Sequence, residues 1–211
     1  MGGARKVFAG LAGEPVLVHA LRPFLADARV TSVVVALGSD DAAAPPRWLT
    51  ALDERVEVVR GGATRTASVR AALAALPDDT DVIAVHDGAR PLVPPDAVAA
   101  AIDLAAGGVA AVVGCRAVDT IKRADARGDV VETPERSALW HAQTPQVFPA
   151  ALLRAAYADP SAEGTDDAAL VEHMGARVRM VDGGRFNLKL THPGDLALAE
   201  AILGLRTAGV V

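Results

Sequence analysis

The segment Val85-His86-Asp87-Gly88-Ala89-Arg90-Pro91 places a carboxylate and a guanidinium just beyond a hydrophobic run. In wound sheets, the ends of strands are where ligands bind. A carboxylate there can hold Mg²⁺ beside phosphate oxygens, while a guanidinium can grip phosphate or simply anchor its own loop. His86 has no evident partner in the sequence and reads as structural. A second segment, Gly61-Gly62-Ala63-Thr64-Arg65-Thr66-Ala67-Ser68-Val69, follows an apolar run and opens a helical one. Its backbone N–H groups and Arg65 can meet an anionic or polar ligand, although a plain turn with a capped helix accounts for the same residues. No complete P-loop or G-x-G-x-x-G fingerprint is present. Asp119-Thr120-Ile121-Lys122, Thr144-Pro145-Gln146 and Asn187-Leu188-Lys189-Leu190-Thr191 are further polar clusters. Within the last, Lys189 needs an anionic partner if its ammonium is partly buried, and none if it snorkels to water.

The surrounding pattern must supply the scaffold. Short β-branched runs at 32–37, 56–59, 81–85, 110–114 and 178–181 alternate with Ala/Leu-rich stretches near 14–26, 66–76, 95–106, 149–157, 166–174 and 193–206. Strands alternating with helices predict an α/β protein with a wound, mostly parallel sheet, here a single domain over 1–211. Residues 116–136 break the rhythm. Their charge and the central Gly128 predict a protruding β-hairpin, either an exposed edge ribbon or an arm that reaches another subunit.

Composition narrows the function classes. Hydrophobic residues make up 51% of the chain and aromatic ones only 3%, so the core must be built from Ala, Val, Leu and Ile. A formal charge of -5 argues against a nonspecific nucleic-acid surface, while local cations can still bind a small anion. The single Cys115 excludes an internal disulfide framework and suits a reducing, cytoplasmic setting. Neither a membrane span nor a signal-peptide pattern is read in the sequence.

Taken in order, Gly61-Gly62 with Arg65 and Ser68-Val69, Val85 to Pro91, Asp119-Thr120 with Lys122, Thr144-Pro145-Gln146, Thr165-Asp166-Asp167-Ala168, and Asn187 with Lys189 and Thr191 resemble the 2-C-methyl-D-erythritol 4-phosphate cytidylyltransferase family over nearly the whole chain. The resemblance implies a Rossmann-like subunit that uses CTP and Mg²⁺ to cytidylylate 2-C-methyl-D-erythritol 4-phosphate in non-mevalonate isoprenoid precursor synthesis. It also implies a homodimer embraced by the hairpin arm. By matched position, Gly62, Arg65 and Ser68 contact the nucleotide and Asp87 holds the metal. Thr120, Arg136 from the partner's arm, Thr165, Lys189 and Thr191 handle the methylerythritol phosphate, and Lys6, Arg136 and Lys189 serve catalysis.

One departure accompanies the resemblance. The family opens on a hydrophobic strand followed by Ala-Ala-Gly-x-Gly-x-Arg, whereas this sequence opens Met1-Gly2-Gly3-Ala4-Arg5-Lys6. The strand and Gly-rich loop are therefore expected to be lacking, with a misassigned start or a truncated chain favoured over natural loss. Without that strand, its neighbours are expected to carry unpaired backbone groups and bare apolar surface. Two alternatives stand beside the main reading: a cytidylyltransferase for another polyol phosphate such as ribitol 5-phosphate, and a noncatalytic homologue that binds substrate without CTP.

Overall fold

The computed structural model describes residues 6–159 and 164–210. The opening residues of the sequence, Arg5 among them, lie outside those described. A two-residue ladder, β1 (Gly10–Leu11) with β2 (Glu14–Pro15), leads into helix α1 (Val16–Leu25). Strand β3 (Val33–Leu37), two short helices α2 (Ser39–Ala43) and α3 (Arg47–Thr50), strand β4 (Val56–Arg60) and helix α4 (Arg65–Ala75) follow. Then come β5 (Val82–Val85), α5 (Pro95–Ala106) and β6 (Ala110–Arg116), with β7 (Arg123–Ala124) and β8 (Val130–Glu132) forming a small antiparallel ribbon. The rest is β9 (Trp140–Pro149), α6 (Ala150–Ala156), α7 (Asp167–His173), β10 (Val178–Asp182) and α8 (Gly194–Thr207).

The main sheet has the order β10-β6-β9-β5. It is mixed rather than mostly parallel: β10 and β6 run together, while β9 runs against both β6 and β5. The strand that breaks the expectation is β9, which carries Gln143, Thr144, Pro145 and Gln146 and so does not read as a buried strand. Its polar side chains are tolerated because they are paired. Gln146 donates to the Asp166 carboxylate at 2.7 Å and accepts from the Ala168 backbone N–H at 2.9 Å. Paired in this way, a buried amide avoids the cost of an orphaned polar group.

The period of two along the central strands divides the core into two layers. Ala110 and Val112 of β6 face a cluster with Phe148, Leu153 and Val171, beneath α4, α6 and α7. Ala111 and Val113 face the other way, onto Phe24, Val98 and Ala101 of α1 and α5. Helices thus cover both faces of the sheet, as the sequence pattern predicts.

Strands β3 and β4 form their own parallel pair. Among the described residues no ladder hydrogen bond joins this pair to the four-stranded sheet. Between β3 and β5 lies a cavity of about 450 Å³ lined by Val34, Ala36, Val82, Ala84, Leu21 and Val69. Side-chain packing spans the division instead: Val69 and Leu73 of α4 join the cluster around Phe148. No described helix is long and apolar enough to cross a membrane.

The ribbon β7–β8 lies within the expected hairpin region and turns through Asp125–Asp129, with Gly128 at φ 92°. That left-handed conformation is one glycine adopts without strain. In the main sheet, Gly114 sits where β6 shifts register against β9. A Cβ at Gly114 would lie 2.6 Å from the His141 carbonyl oxygen and 2.6 Å from the Met180 methyl. Because one of those atoms is backbone in the central ladder, Gly114→Ala is expected to destabilise the fold by about 1–3 kcal/mol. The measurement is urea unfolding, with a lowered midpoint and an unchanged slope expected.

Candidate functional site

The site forms where β5 ends. His86 is held between two oxygens: its Nε2 lies 3.1 Å from the Arg90 carbonyl and its Nδ1 lies 3.0 Å from the Thr144 hydroxyl. The Asp87 backbone N–H donates to that same hydroxyl at 3.0 Å. The directions are therefore fixed. A carbonyl oxygen only accepts, so Nε2 carries the imidazole proton and donates to Arg90, and the Thr144 hydroxyl, which accepts from Asp87, donates to Nδ1. Burial pushes the His86 pKa down to about 4, keeping the ring neutral at pH 7. His86 is structural, as its isolation in the sequence suggests.

Arg90 anchors its own loop. Its Nη1 donates to the Asn187 carbonyl at 2.8 Å, and the Leu190 N–H donates to the Ala89 carbonyl at 2.8 Å. Buried Asn187 donates in turn to the Gln143 side chain and the Thr144 carbonyl, each at 3.0 Å. These bonds lay the segment 187–190 along the strand end and bring the Lys189 ammonium to 2.8 Å from Asp87 Oδ2. Lys189 thus has its anionic partner. Burial works to raise the Asp87 pKa, but Lys189, Arg65 and Arg90 more than reverse this and hold the carboxyl below its usual value.

The glycine loop supplies the opposite wall. Thr64 caps α4 by accepting from the Ala67 N–H at 3.1 Å. Gly62 is required by proximity, since a Cβ there would fall 2.3 Å from the Ala67 side chain. The Ser68 hydroxyl accepts from the Gly62 N–H at 3.1 Å and donates to the Thr64 carbonyl at 2.9 Å, so it tightens the loop. Arg65 projects from this turn. Its Nε lies 3.5 Å from Asp87 Oδ1, and its terminal nitrogens grip Asp167.

The structure thus joins Arg65, Asp87 and Lys189 in one group, with Gly62 and Ser68 shaping the adjoining turn. Lys6 is nearby, donating from its ammonium to the Thr191 carbonyl. The Thr191 N–H and hydroxyl both donate to Asp195 Oδ2, at 2.6 and 3.0 Å. Thr165 is exposed, just before Asp166, whose carboxylate caps α7. Thr120 and Arg136 stand apart in the hairpin region, where Arg136 donates to the Val118 carbonyl at 2.6 Å. No described contact links either of them to Asp87 within one chain. Thr144, Asn187 and Asp167 fall in motifs read from the sequence, but their hydrogen-bonding roles emerge only in the fold. Tyr157 and Asp195 carry no sequence signal of a site. Burial and the neighbouring Asp182 charge push the Cys115 thiol pKa up, which disfavours the thiolate.

Chemically, cations gathered around one carboxylate favour a polyanion. Among the described residues no three His, Cys, Asp or Glu side chains cluster to hold a metal alone. That donor set fits Mg²⁺, which is commonly held by one or two carboxylates together with substrate phosphates.

The family model for 2-C-methyl-D-erythritol 4-phosphate cytidylyltransferase matches residues 1–205. The curated protein of that name from Symbiobacterium thermophilum is 44% identical over 205 residues, covering 96% of this chain and 86% of the relative. The one from Streptomyces coelicolor is 44% identical over 97% of this chain and 80% of its own length. The crystal structure of the Thermus thermophilus 2-C-methyl-D-erythritol 4-phosphate cytidylyltransferase superposes with a TM-score of 0.81 at 35% identity, covering 96% of each chain. A 4-diphosphocytidyl-2C-methyl-D-erythritol synthase from Anaerococcus prevotii reaches a TM-score of 0.87 at 27% identity, covering 96% of this chain and 91% of that one.

The hydrogen bonds beneath the site lead to a direct expectation. Thr144→Val keeps the shape but strands the Asp87 N–H and His86 Nδ1, and should cost about 1–3 kcal/mol of stability in denaturant unfolding.

Proposed function

The chain belongs to the 2-C-methyl-D-erythritol 4-phosphate cytidylyltransferase family, and from that premise we propose how its own residues divide the work of transferring cytidylyl from CTP to 2-C-methyl-D-erythritol 4-phosphate. The observation that carries the assignment of roles is the placement of Asp87 between Lys189 and Arg65 at the end of β5.

In the reaction, an oxygen of the methylerythritol phosphate attacks the α-phosphorus of CTP. A new P–O bond forms, the bond to the β-phosphate oxygen breaks, and pyrophosphate leaves with that electron pair. The nucleophile is already an anion at neutral pH, so no strong base is needed. The difficulty is holding two anions together while charge grows on phosphorus, which preorganised cations relieve.

Gly62 and Ser68 shape the turn against which the nucleotide lies, and Arg65 meets its phosphates from that turn. Asp87 would hold Mg²⁺, which when bound neutralises phosphate charge. Lys189 aims the attacking phosphate, and Lys6 places a second ammonium on the same side through the Thr191 carbonyl. The Thr191 hydroxyl meets the substrate once turned from Asp195, and Thr165 lines the approach. In this reading a Rossmann-like single domain positions all of these groups.

Thr120 and Arg136 enter from a second copy. The hairpin region is exposed, and Val118, Val130 and Val131 on it are 70%, 60% and 55% accessible. Apolar side chains on a projecting ribbon gain by being covered, and a homodimer in which each ribbon reaches its partner covers them. The net charge of -5 accords with a small-molecule enzyme without a nucleic-acid partner, and the single cysteine with a cytoplasmic one. No membrane role is assigned.

The first experiment is pyrophosphate release by the 211-residue chain, given CTP, Mg²⁺ and 2-C-methyl-D-erythritol 4-phosphate. Release that needs both substrates is the expected result; equal rates with ribitol 5-phosphate would reassign the acceptor, and CTP-independent substrate binding alone would make the chain a noncatalytic homologue. Asp87→Asn and Lys189→Ala should each lower kcat/KM by about a hundredfold or more. Arg136→Ala should lower turnover while the protein sediments as a dimer. Wild-type turnover in all three variants would reject these roles.

A further inference from the structure

We propose that Asp167 and Tyr157 are positioning residues for CTP: they fix the Arg65 guanidinium so that its Nε edge, rather than its terminal nitrogens, faces Asp87 and the nucleotide. This rests on the reading of Arg65 as a CTP contact.

Asp167 is completely buried as the first residue of α7. Arg65 donates to both of its oxygens, Nη1 to Oδ1 at 2.9 Å and Nη2 to Oδ2 at 2.6 Å. The Tyr157 hydroxyl donates to Oδ1 as well. A fork-to-fork pairing fixes direction as well as charge, which a single contact to Lys could not do. Burial and the Asp167 hydrogen bond push the Tyr157 pKa up, so the hydroxyl remains a donor. Burial works against the Arg65 charge, yet Asp167 and then Asp87 outweigh it.

The two partners differ in freedom. The start of α7 is held by the Asp166 cap and by Gln146 of β9. Arg65 reaches it from the glycine turn with 37% of its side chain exposed. The carboxylate is therefore the mount and the guanidinium the mounted part. With Asp167 present, the approach to Asp87 is through Nε, at 3.5 Å. Without it, the other carboxylate that acts on Arg65 is Asp87. Arg65 would then swing onto Asp87 and withdraw both groups from the nucleotide.

The test is CTP affinity by isothermal titration calorimetry in Mg²⁺, without the second substrate, on the full chain. Tyr157→Phe should weaken binding about threefold and Asp167→Asn about tenfold, with Asp167→Glu recovering part of the loss. If Asp167→Asn does not fold, the Tyr157 variants decide. Tyr157→Phe should add nothing in an Arg65→Ala background, because its effect passes only through Arg65. Wild-type affinity in Tyr157→Phe, or the same loss with and without Arg65, would overturn the proposal. Wild-type affinity in Arg65→Ala would instead show that the reading of Arg65 as a CTP contact is wrong.

Discussion

A carboxylate that is only 18% exposed has lost much of its hydration and is held ionised by cations close by, and Asp87 draws these from widely separated parts of the chain. Lys189 comes from the segment after β10, Arg65 from the start of α4, and Arg90 from its own loop. Much of the surrounding structure can be understood as what this requirement demands. The bonds from Arg90 to Asn187 and from Leu190 to Ala89 deliver Lys189. The Thr144 hydroxyl fixes the Asp87 backbone, and the turn at Gly62 aims Arg65. The same cluster answers the chemical need of the reaction, since positive groups already gathered around one anion are poised to receive others.

Most of the scaffold is legible in the sequence because it obeys simple periods. The β-branched runs become β3, β4, β5, β6 and β10, and the Ala/Leu-rich stretches become the larger helices within a residue or two. Strand β9 is the exception and changes the sheet from mostly parallel to mixed. Its central Gln, Thr and Pro residues argue against a buried strand locally, and their partners at Asp166, Ala168, His86 and Asn187 become visible only in three dimensions.

The site divides along the same line. Asp87, Arg65 and Lys189 carry strong local signals: a strand end, a glycine turn, and a charge within an apolar run. Their mutual contacts were not readable, because nothing in sequence spacing ties Arg65 to Asp167 across 102 positions. Arg90 can bind phosphate or anchor its loop on sequence grounds, and the bond to Asn187 shows the anchoring. Thr191 and Ser68 are hydroxyls spoken for by near neighbours, Asp195 and Thr64, which local sequence does not order.

The separation of β3–β4 from the main sheet gives the molecule a seam. Backbone ladders resist shear because many short, directional bonds must break together; across this seam the described residues offer none. Other contacts span it instead: α1, packed on Val35 and Leu37 through Leu17 and Leu21 and on Val98 through Phe24; the apolar side of α4 around Leu73; hydrogen bonds of Arg70 and Arg154; and the reach of Arg65 to Asp87 and Asp167. Packing resists pulling apart but yields more readily to sliding. At the mouth of the seam Arg65 acts as a rivet, tying the glycine turn to the Asp87 strand end by an ion pair where no sheet ladder does. Because Asp167 is sealed from solvent, dissolved salt screens that rivet far less than it would a surface pair.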